Sequence, residues 1–229
     1  ISKFCKLGMT VFDVGANIGE WTLPMANGVG SQGRVYSFEP VPFLFDALNK
    51  TVGANQLKQV TISPRALSDK SETMDFYVQY DENELLDARL SRLGSPADFA
   101  VWNTDATKAK KIQVQTTTLD EFVAEEKLER VDFLKLDPEG YECAVVEGGL
   151  ITLKNFRPNI FCEVGGVYDS DEKRKKMVDH LRELNYCLVG TPVMQGIIEV
   201  TWDQFLNWSS PPFFPDQAVN LLFIPETRA

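Results

Sequence analysis

Residues 11–19, which read VFDVGANIG, constrain the fold of this chain more than any other segment. A short apolar run ends in Asp13, and a turn that contains glycine follows it. In an α/β domain, a strand, a glycine turn and a helix in this order build a nucleotide-sized pocket at the carboxyl end of the strand. Gly15 and Gly19 lack a Cβ, so the backbone can turn sharply and a ligand can approach it closely. Asn17 tolerates left-handed dihedral angles and can cap a helix that begins directly after it.

The chemistry of this loop favours one class of nucleotide ligand. Its pattern is Asp-x-Gly-x-Asn-x-Gly rather than the Gly-x-Gly-x-x-Gly of pyrophosphate binders. A dinucleotide places its pyrophosphate against a helix N-terminus. S-adenosylmethionine has no phosphate and carries an ammonium, a sulfonium and a carboxylate, so Asp13 would suit its cationic amino-acid portion. A second apolar run ends in Glu39, where an acid can accept hydrogen bonds from both ribose hydroxyls. The two acids therefore predict an adenosine-cofactor site; the alternative is an ordinary strand, turn and helix whose acids cap helices.

Composition limits the class of protein. With 229 residues and 44% hydrophobic content, residues 1–229 can bury one core as a single domain. The net charge of −10 argues against nucleic acid or an anionic membrane surface as the main partner. No run approaches the ~18 to 20 apolar residues that span a bilayer. The four cysteines show no Cys-x-x-Cys pair, which favours free thiols in a reducing compartment and predicts a cytoplasmic location.

Strand-like and helix-like segments alternate along the chain. Apolar or β-branched runs occur at residues 11–14, 34–38, 59–63, 132–137, 159–164, 186–190 and 220–224. Helix-like patterns occur at residues 17–28, 42–52, 142–154 and 171–184. This alternation predicts a doubly wound α/β fold with a seven-stranded, mostly parallel sheet and helices on both faces. A long loop joins the last two runs, so the last strand is expected to be antiparallel.

One region interrupts the alternation. Residues 72–79 and 112–117 alternate between apolar and polar side chains, as half-exposed strands do. Residues 72–117 are therefore predicted to form a small β extension that carries a long loop, which in a compact domain is usually either functional or disordered. The loop contains basic and aromatic side chains that could contact a substrate: Arg89, Arg92 and Trp102. The extension is thus a candidate substrate lid; the alternative is a decoration without substrate contact.

A second chemical centre follows the fourth predicted strand. Residues 131–142 read VDFLKLDPEGYE, a strand followed by an acid-rich turn. The first and fourth strands flank the point where strand order reverses, so Asp13 and Asp137 are expected to face one crevice. Strand alternation places Lys135 and Asp137 on one face, and a lysine in a central strand must be paired. Lys135 could orient Asp137, contact substrate or form a plain buried ion pair, the interpretation we prefer.

Carboxylates cluster at this predicted edge. Asp137, Glu139 and Glu163 are candidate catalytic residues that could abstract a proton or hold a divalent metal, and the metal is left open. Clustered like charges would raise one pKa towards neutrality, as a general base requires. Glu139 and Glu142 could instead cap a helix, which is the interpretation that we prefer for Glu142. The lone His180 lies far in sequence from every strand tip, which argues against a histidine base.

Four segments together resemble the FkbM-type S-adenosylmethionine-dependent methyltransferases: residues 13–19 (DVGANIG), 38–40 (FEP), 118–120 (TLD) and 133–142 (FLKLDPEGYE). The resemblance implies a Rossmann-like class I methyltransferase fold whose last strand is antiparallel. It also implies S-adenosyl-L-methionine as cofactor and methyl transfer, commonly to a hydroxyl oxygen of a sugar or polyketide-like natural product. Pro138 departs from the aliphatic residue that the family usually has before Glu139.

By position, the resemblance implies a set of cofactor contacts: Asp13, Gly15, Ala16, Asn17, Gly19, Glu39, Pro40, Ala66, Leu67, Ser68 and Asp137. Our hypothesis is O-methyl transfer to a small-molecule or carbohydrate acceptor, with alignment supplying much of the acceleration. Asp137 or Glu139 would deprotonate or orient the acceptor hydroxyl, with Glu163 as a third candidate. The alternatives are a non-catalytic adenosine-ligand binding or scaffold protein of the same fold, and then a nicotinamide dehydrogenase.

Overall fold

The computed structural model describes residues 4–80, 86–93, 109–165, 171–193, 196–207 and 218–226. The strands are β1 (Thr10–Val14), β2 (Arg34–Phe38), β3 (Val60–Ser63), β4 (Ala66–Leu67), β5 (Thr73–Tyr80), β6 (Leu86–Leu93), β7 (Ala109–Thr117), β8 (Phe133–Leu136), β9 (Asn159–Gly165), β10 (Tyr186–Val193), β11 (Gly196–Glu199) and β12 (Ala218–Pro225). The helices are α1 (Thr22–Val29), α2 (Pro42–Ala54), α3 (Leu119–Glu125), α4 (Glu142–Glu147), α5 (Leu150–Phe156), α6 (Asp171–Glu183) and α7 (Trp202–Leu206).

The main sheet confirms the predicted fold class. Its strand order is β11-β10-β12-β9-β8-β1-β2-β3. Strands β3, β2, β1, β8 and β9 run parallel to one another, and β12 runs antiparallel to both β9 and β10. Each of the seven predicted runs forms a strand of this sheet. The eighth strand, β11, was not predicted, because its four residues are mostly exposed and show no alternation.

Two helix predictions need correction. The helix after the glycine loop begins at Thr22 and not directly after Asn17. Asn17 does adopt the left-handed conformation, with φ of 50°, but it belongs to the loop. The segment 142–154 forms two helices, α4 and α5, separated by a glycine pair. A Cβ on Gly148 would lie 2.1 Å from the carbonyl oxygen of Ser68, so a neighbouring loop packs against the backbone where the helix is interrupted.

Two short helices were missed, although each carries a signal in the sequence. Helix α3 begins with a capping box in which Thr118 and Glu121 each bind the other's backbone N–H. Helix α7 begins with the same reciprocal arrangement between Thr201 and Gln204. These pairs occupy the Ncap and N3 positions that define the motif, and they could have been found from their three-residue spacing.

The alternation of β1 and β8 decides which side chains reach the two layers of the core. Phe12 packs with Phe38 and Phe122 on the face covered by α3, and the Phe38 and Phe122 ring centroids lie 4.7 Å apart. Val11 and Phe133 pack on the opposite face, with apolar side chains of α1. Because strand side chains alternate with a period of two, the polar residues Asp13 and Lys135 lie on this second face.

The second sheet forms the β extension, in the order β4-β7-β5-β6. Strands β5 and β7 pair antiparallel, and β6 pairs with β5 within the region predicted as loop. Phe76 and Val114 of this sheet pack with Val41 and Leu44 at the start of α2. Trp102 and the side chains of Arg89 and Arg92 lie outside the described residues. The role of the extension as a substrate lid therefore stays a prediction.

Two composition-based expectations concern the surroundings of the protein. None of the helices in the described ranges is long and apolar enough to cross a lipid bilayer. No disulfide joins the four cysteines, all of which lie in the described ranges, and Cys5, Cys143 and Cys162 are buried.

Candidate active site

A cavity of about 260 Å³ opens at the carboxyl ends of β1, β2 and β8. It lies where the strand order reverses, the position at which open α/β sheets bind ligands. Most of the predicted site residues line it: Gly15, Ala16, Asn17, Glu39, Pro40, Ala66, Leu67, Asp137, Glu139 and Glu163. Three predicted cofactor contacts do not line it: Asp13, Gly19 and Ser68.

The backbone of the glycine loop is anchored to the two neighbouring strands. The N–H groups of Gly15 and Ala16 both donate to the carbonyl oxygen of Phe38, at 3.1 and 2.9 Å. Gly15 has φ of +74°, and a Cβ at this position would lie 2.0 Å from the carbonyl oxygen of Asp137. Glycine is therefore required here by the contact between two protein loops, in addition to any requirement of a ligand.

Glu39 lies in the cavity wall, with its carboxylate held by backbone groups. One oxygen accepts the N–H of Asn17 at 2.9 Å, and the other accepts the N–H of Val41 at 2.9 Å. Burial raises the pKa of Glu39 to about 7, although these two hydrogen bonds oppose the shift. Each carboxylate oxygen keeps a free lone pair, so both could still accept a hydrogen bond from a ligand.

Asp13, a predicted cofactor contact, lies behind the cavity wall. Its side chain is fully buried on the α1 side of the sheet and is absent from the cavity wall. One oxygen accepts the Thr22 hydroxyl at 2.6 Å, and the other lies 3.7 Å from the Lys135 ammonium. Burial raises the pKa of this carboxyl, and Lys135 and Thr22 oppose the shift. Lys135, its partner on β8 and on the same face of the sheet, lines the cavity in its place. A direct contact between Asp13 and a cofactor stays a prediction.

Gly19 and Ser68 also lie outside the cavity wall, and their contacts with a cofactor stay predictions. A Cβ on Gly19 would lie 2.9 Å from the Leu48 side chain, so this glycine allows the loop to pack on α2. Ser68 is fully buried, its N–H donates to Thr117 at 3.0 Å, and its hydroxyl donates to Asp69 at 3.1 Å. Both residues therefore contact elements next to the cavity without lining it.

Lys135 meets a carboxylate, as strand alternation predicted. Its ammonium lies 3.0 Å from Asp137 Oδ2, 3.2 Å from the carbonyl oxygen of Gly15 and 3.7 Å from Asp13 Oδ1. Only 2% of the side chain is exposed. Burial acts to lower the pKa of Lys135, but the carboxylates of Asp13 and Asp137 outweigh it and raise the pKa, so the group is charged.

Asp137, Glu139 and Glu163 form an acidic cluster, in which carboxylate oxygens from the three residues lie within 4.8 Å of one another. Burial, with the neighbouring charges of Asp137 and Glu163, raises the pKa of Glu139 to about 9. Burial and Asp137 raise the pKa of Glu163 to about 8. Asp137 Oδ1 accepts no hydrogen bond from the described residues, and a proton on Glu163 would provide a donor. Both pKa values are raised as expected, but burial contributes more to each shift than any neighbouring carboxylate does.

The turn after β8 directs Glu139 into the cavity. Glu139 has φ of +52°, an uncommon conformation for a residue with a side chain, and Gly140 follows with φ of +91°. Glu142 is buried, and its carboxylate accepts the N–H of Gly140 at 3.0 Å. Glu142 does not line the cavity and stabilises the turn, which agrees with the structural role preferred from the sequence.

The acidic cluster has oxygen ligands of the kind that a divalent cation takes. Its raised pKa values show that protons can reduce its negative charge when nothing is bound.

Sequence reasoning missed much of the cavity wall. One side is apolar and is formed by Phe38, Val41, Leu44 and Phe76. The signal for Phe76 was its place in an alternating run, but alternation cannot tell which face meets the cavity. His180 lies away from this cavity, beside a groove between α5 and α6, so the argument against a histidine base agrees with the structure.

The chain belongs to the FkbM methyltransferase family. The family model described as the methyltransferase FkbM domain matches residues 13–188. This range contains the glycine loop, Glu39 and the acidic cluster. The resemblance drawn from the four sequence segments is therefore confirmed.

Individual proteins support the same assignment. Methyltransferase 1 of Beauveria bassiana (strain ARSEF 2860) is 29% identical over 143 residues, which cover 60% of this chain and 57% of that protein. Methyltransferase sdnD of Sordaria araneosa is 27% identical over 158 residues, which cover 60% and 59%. The crystal structure of methyltransferase FkbM from Methylobacillus flagellatus KT matches with a TM-score of 0.56 and 15% identity, over 94% of this chain and 43% of that chain. The matched region thus spans a little over half the length of these two curated relatives, and the structural match supports the class I methyltransferase fold.

Proposed function

We propose that the cavity binds S-adenosyl-L-methionine and that the protein transfers its methyl group to a hydroxyl oxygen of a sugar or small natural product. Family membership supports methyl transfer. One observation carries the assignment of the site: a single cavity has the buried carboxylate of Glu39 in one wall and the acidic cluster in another. An adenosine-sulfonium ligand matches both walls. Its ribose hydroxyls can donate to the carboxylate of Glu39, and its cationic amino-acid portion can lie beside the acidic cluster.

In this proposal the cofactor lies across the carboxyl ends of β2, β1 and β8. Glu39 accepts hydrogen bonds from the ribose hydroxyls, for which its oxygens keep free lone pairs. The apolar wall with Ala66, Leu67 and Phe76 takes the adenine. The glycine loop runs along the middle of the cavity, and Asp137 lies near the ammonium and sulfonium.

When bound, S-adenosylmethionine supplies a methyl carbon on a positively charged sulfur, which an oxygen nucleophile can attack in line. The carbon–sulfur bond breaks as the carbon–oxygen bond forms, and its electron pair neutralises the sulfur. A carboxylate of the acidic cluster accepts the hydroxyl proton. Alignment contributes most, and general-base help is typically worth ~10² to 10⁴-fold. The raised pKa of Glu163, about 8, supports this role, because a base works best when its pKa lies near the working pH. Glu139, with a pKa of about 9, holds its proton near neutral pH in the unliganded site.

The partners in this proposal are a small-molecule or carbohydrate acceptor and no nucleic acid, for which the net charge of −10 is the support. A cytoplasmic location remains part of the proposal, supported by the free thiols.

Calorimetric titration with S-adenosylmethionine and S-adenosylhomocysteine tests binding, with NADH as a comparison. A screen with methyl-labelled donor and a panel of sugars and hydroxylated natural products then tests transfer. We expect saturable binding of both adenosyl ligands, no binding of NADH and label transfer to a hydroxylated acceptor. Failure to bind either adenosyl ligand would overturn the proposal. Binding without transfer to any acceptor would favour a non-catalytic adenosine-ligand binding protein.

A further inference from the structure

We infer that Lys135 is a positioning residue for methyl transfer, and that its ammonium fixes the Asp137 carboxylate and the glycine loop relative to each other at the cavity wall. The inference rests on the proposed function and deepens it. It assigns the central lysine of the sheet a role beyond that of a plain buried ion pair.

The Lys135 ammonium contacts acceptors in two neighbouring loops, the one after β8 and the one after β1. Lys135 and Asp13 are paired across β8 and β1, and Asp137 lies two residues further along the face of Lys135. The ammonium therefore lies 3.0 Å from Asp137 in the loop after β8 and 3.2 Å from the carbonyl oxygen of Gly15 in the loop after β1. One side chain thus connects the two loops that bound the middle of the cavity.

The distances distinguish this role from simple neutralisation of Asp13. A lysine that served only to balance a buried carboxylate would make its shortest contact with that carboxylate. Here the contact with the fully buried Asp13 is 3.7 Å, whereas that with the partly exposed Asp137 is 3.0 Å. Asp13 Oδ1 accepts no hydrogen bond from the described residues, and Thr22 serves the other oxygen. The short contacts of the ammonium are thus made with Asp137 and Gly15, which line the cavity, and not with the buried Asp13.

The charge around the site makes this ammonium important. Among the described residues that line the cavity, Lys135 is the one cation. The acids that surround it come from four elements: Asp13 on β1, Glu39 after β2, Asp137 and Glu139 after β8, and Glu163 on β9. Without the ammonium, Asp137 would face Glu163 with no opposing charge. Its carboxylate would then turn away or share a proton, and the acceptor hydroxyl would lose its alignment.

The test compares two variants, one of which serves as the reference. Lys135→Met alone leaves the Asp13 carboxylate buried without a counter-charge, which destabilises the fold strongly. We therefore use Asp13→Asn as the reference and the double variant Asp13→Asn/Lys135→Met as the test, because the double variant loses the buried acid together with its counter-ion. Measurements are the free energy of unfolding, the affinity for S-adenosylhomocysteine, and kcat against pH with the acceptor found in the labelled-donor screen.

We expect the double variant to fold and to bind S-adenosylhomocysteine within about tenfold of the reference, because Glu39 is untouched. Its kcat should fall by about 10²-fold or more with an altered pH profile, and its crystal structure should show Asp137 displaced. Equal kcat, an unchanged pH profile and an unmoved Asp137 would overturn the inference and leave Lys135 as a structural ion pair. Wild-type binding and transfer are measured first, so failure of the proposed function is seen separately.

Discussion

The carbonyl oxygen of Asp137 lies 2.0 Å from the position that a Cβ would take on Gly15. The loops after β1 and β8 therefore pack backbone against backbone at the centre of the cavity. The carbonyl oxygen of Gly15 also accepts a hydrogen bond from the Lys135 ammonium at 3.2 Å. The spacing of the glycine loop and the acidic cluster is thus set by contacts within the protein.

The first prediction concerns this contact. Gly15→Ala would place a methyl group inside the van der Waals distance of the Asp137 carbonyl, at a residue with φ of +74°. We expect the free energy of unfolding to fall by about 2 kcal/mol or more, since both strain and overpacking act. Urea unfolding measures the change. The matched control is Gly53→Ala in α2, where nothing lies within 4 Å, and this variant should gain up to ~1 kcal/mol. Equal stability of Gly15→Ala and wild type would contradict the described contact.

The second prediction concerns Glu39. Glu39→Ala should weaken binding of S-adenosylmethionine by ~2 to 4 kcal/mol, because two charge-assisted hydrogen bonds to the ribose are lost. The variant also leaves the N–H groups of Asn17 and Val41 without their acceptor, so folding must be checked alongside the calorimetric titration. Asp46→Ala on the exposed face of α2 is the control and should bind normally. Unchanged affinity in a folded Glu39→Ala protein would remove Glu39 from the ribose site.

The third prediction separates the members of the acidic cluster. Asp137→Asn, Glu139→Gln and Glu163→Gln each keep the side-chain volume and remove one carboxylate. The variant that lacks the proton acceptor should lose ~10² to 10⁴-fold in kcat, with a smaller change in cofactor affinity. Single-turnover transfer of labelled methyl measures the chemical step. If all three variants keep full activity with a known acceptor, no carboxylate acts as base and alignment alone accounts for the rate.

The fourth prediction follows from the raised pKa values of the cluster. Glu139 has a pKa of about 9 in the folded protein, against an ordinary value of 4.5. Between these values the folded state holds more protons than the unfolded chain, so the free energy of unfolding falls as the pH rises through this window. Glu139→Gln removes this penalty, so its stability relative to wild type should increase by several kcal/mol between about pH 5 and about pH 9.

Chemical denaturation of the unliganded protein at about pH 5 and about pH 9 measures the effect. The Glu129→Gln variant, exposed and outside the cavity wall, is the control and should leave stability unchanged at both pH values. A Glu139→Gln protein whose stability relative to wild type does not increase between these pH values would contradict the raised pKa.

The sequence predicted the strands and the edge of the sheet at which the site lies. An apolar run can be buried as a strand, and an acid that follows the run marks the end of that strand. The run before Glu39 is buried as a strand, and the acid after it has to leave the sheet where the strand ends. Asp13 obeys a different constraint. It is still inside β1, where Lys135 of β8 is its partner on the same face and lines the cavity in its place. Sequence spacing from the loop glycines could not show this.

The other side chains of the site depend on distant segments. Phe76 reaches the cavity wall because β5 of the extension packs against α2, a contact that no local pattern specifies. Glu163 meets Asp137 because β9 pairs with β8 in a particular register. The places of Phe76 and Glu163 in the site could not be predicted from the sequence, because they depend on contacts between segments far apart in the chain.

A crystal structure of the protein with S-adenosylhomocysteine tests the proposed site. We expect one ligand in the cavity after β1, β2 and β8. Its ribose hydroxyls should lie within hydrogen-bond distance of Glu39, and its sulfur should face the acidic cluster of Asp137, Glu139 and Glu163. A ligand bound elsewhere, or one whose ribose does not contact Glu39, would contradict the account.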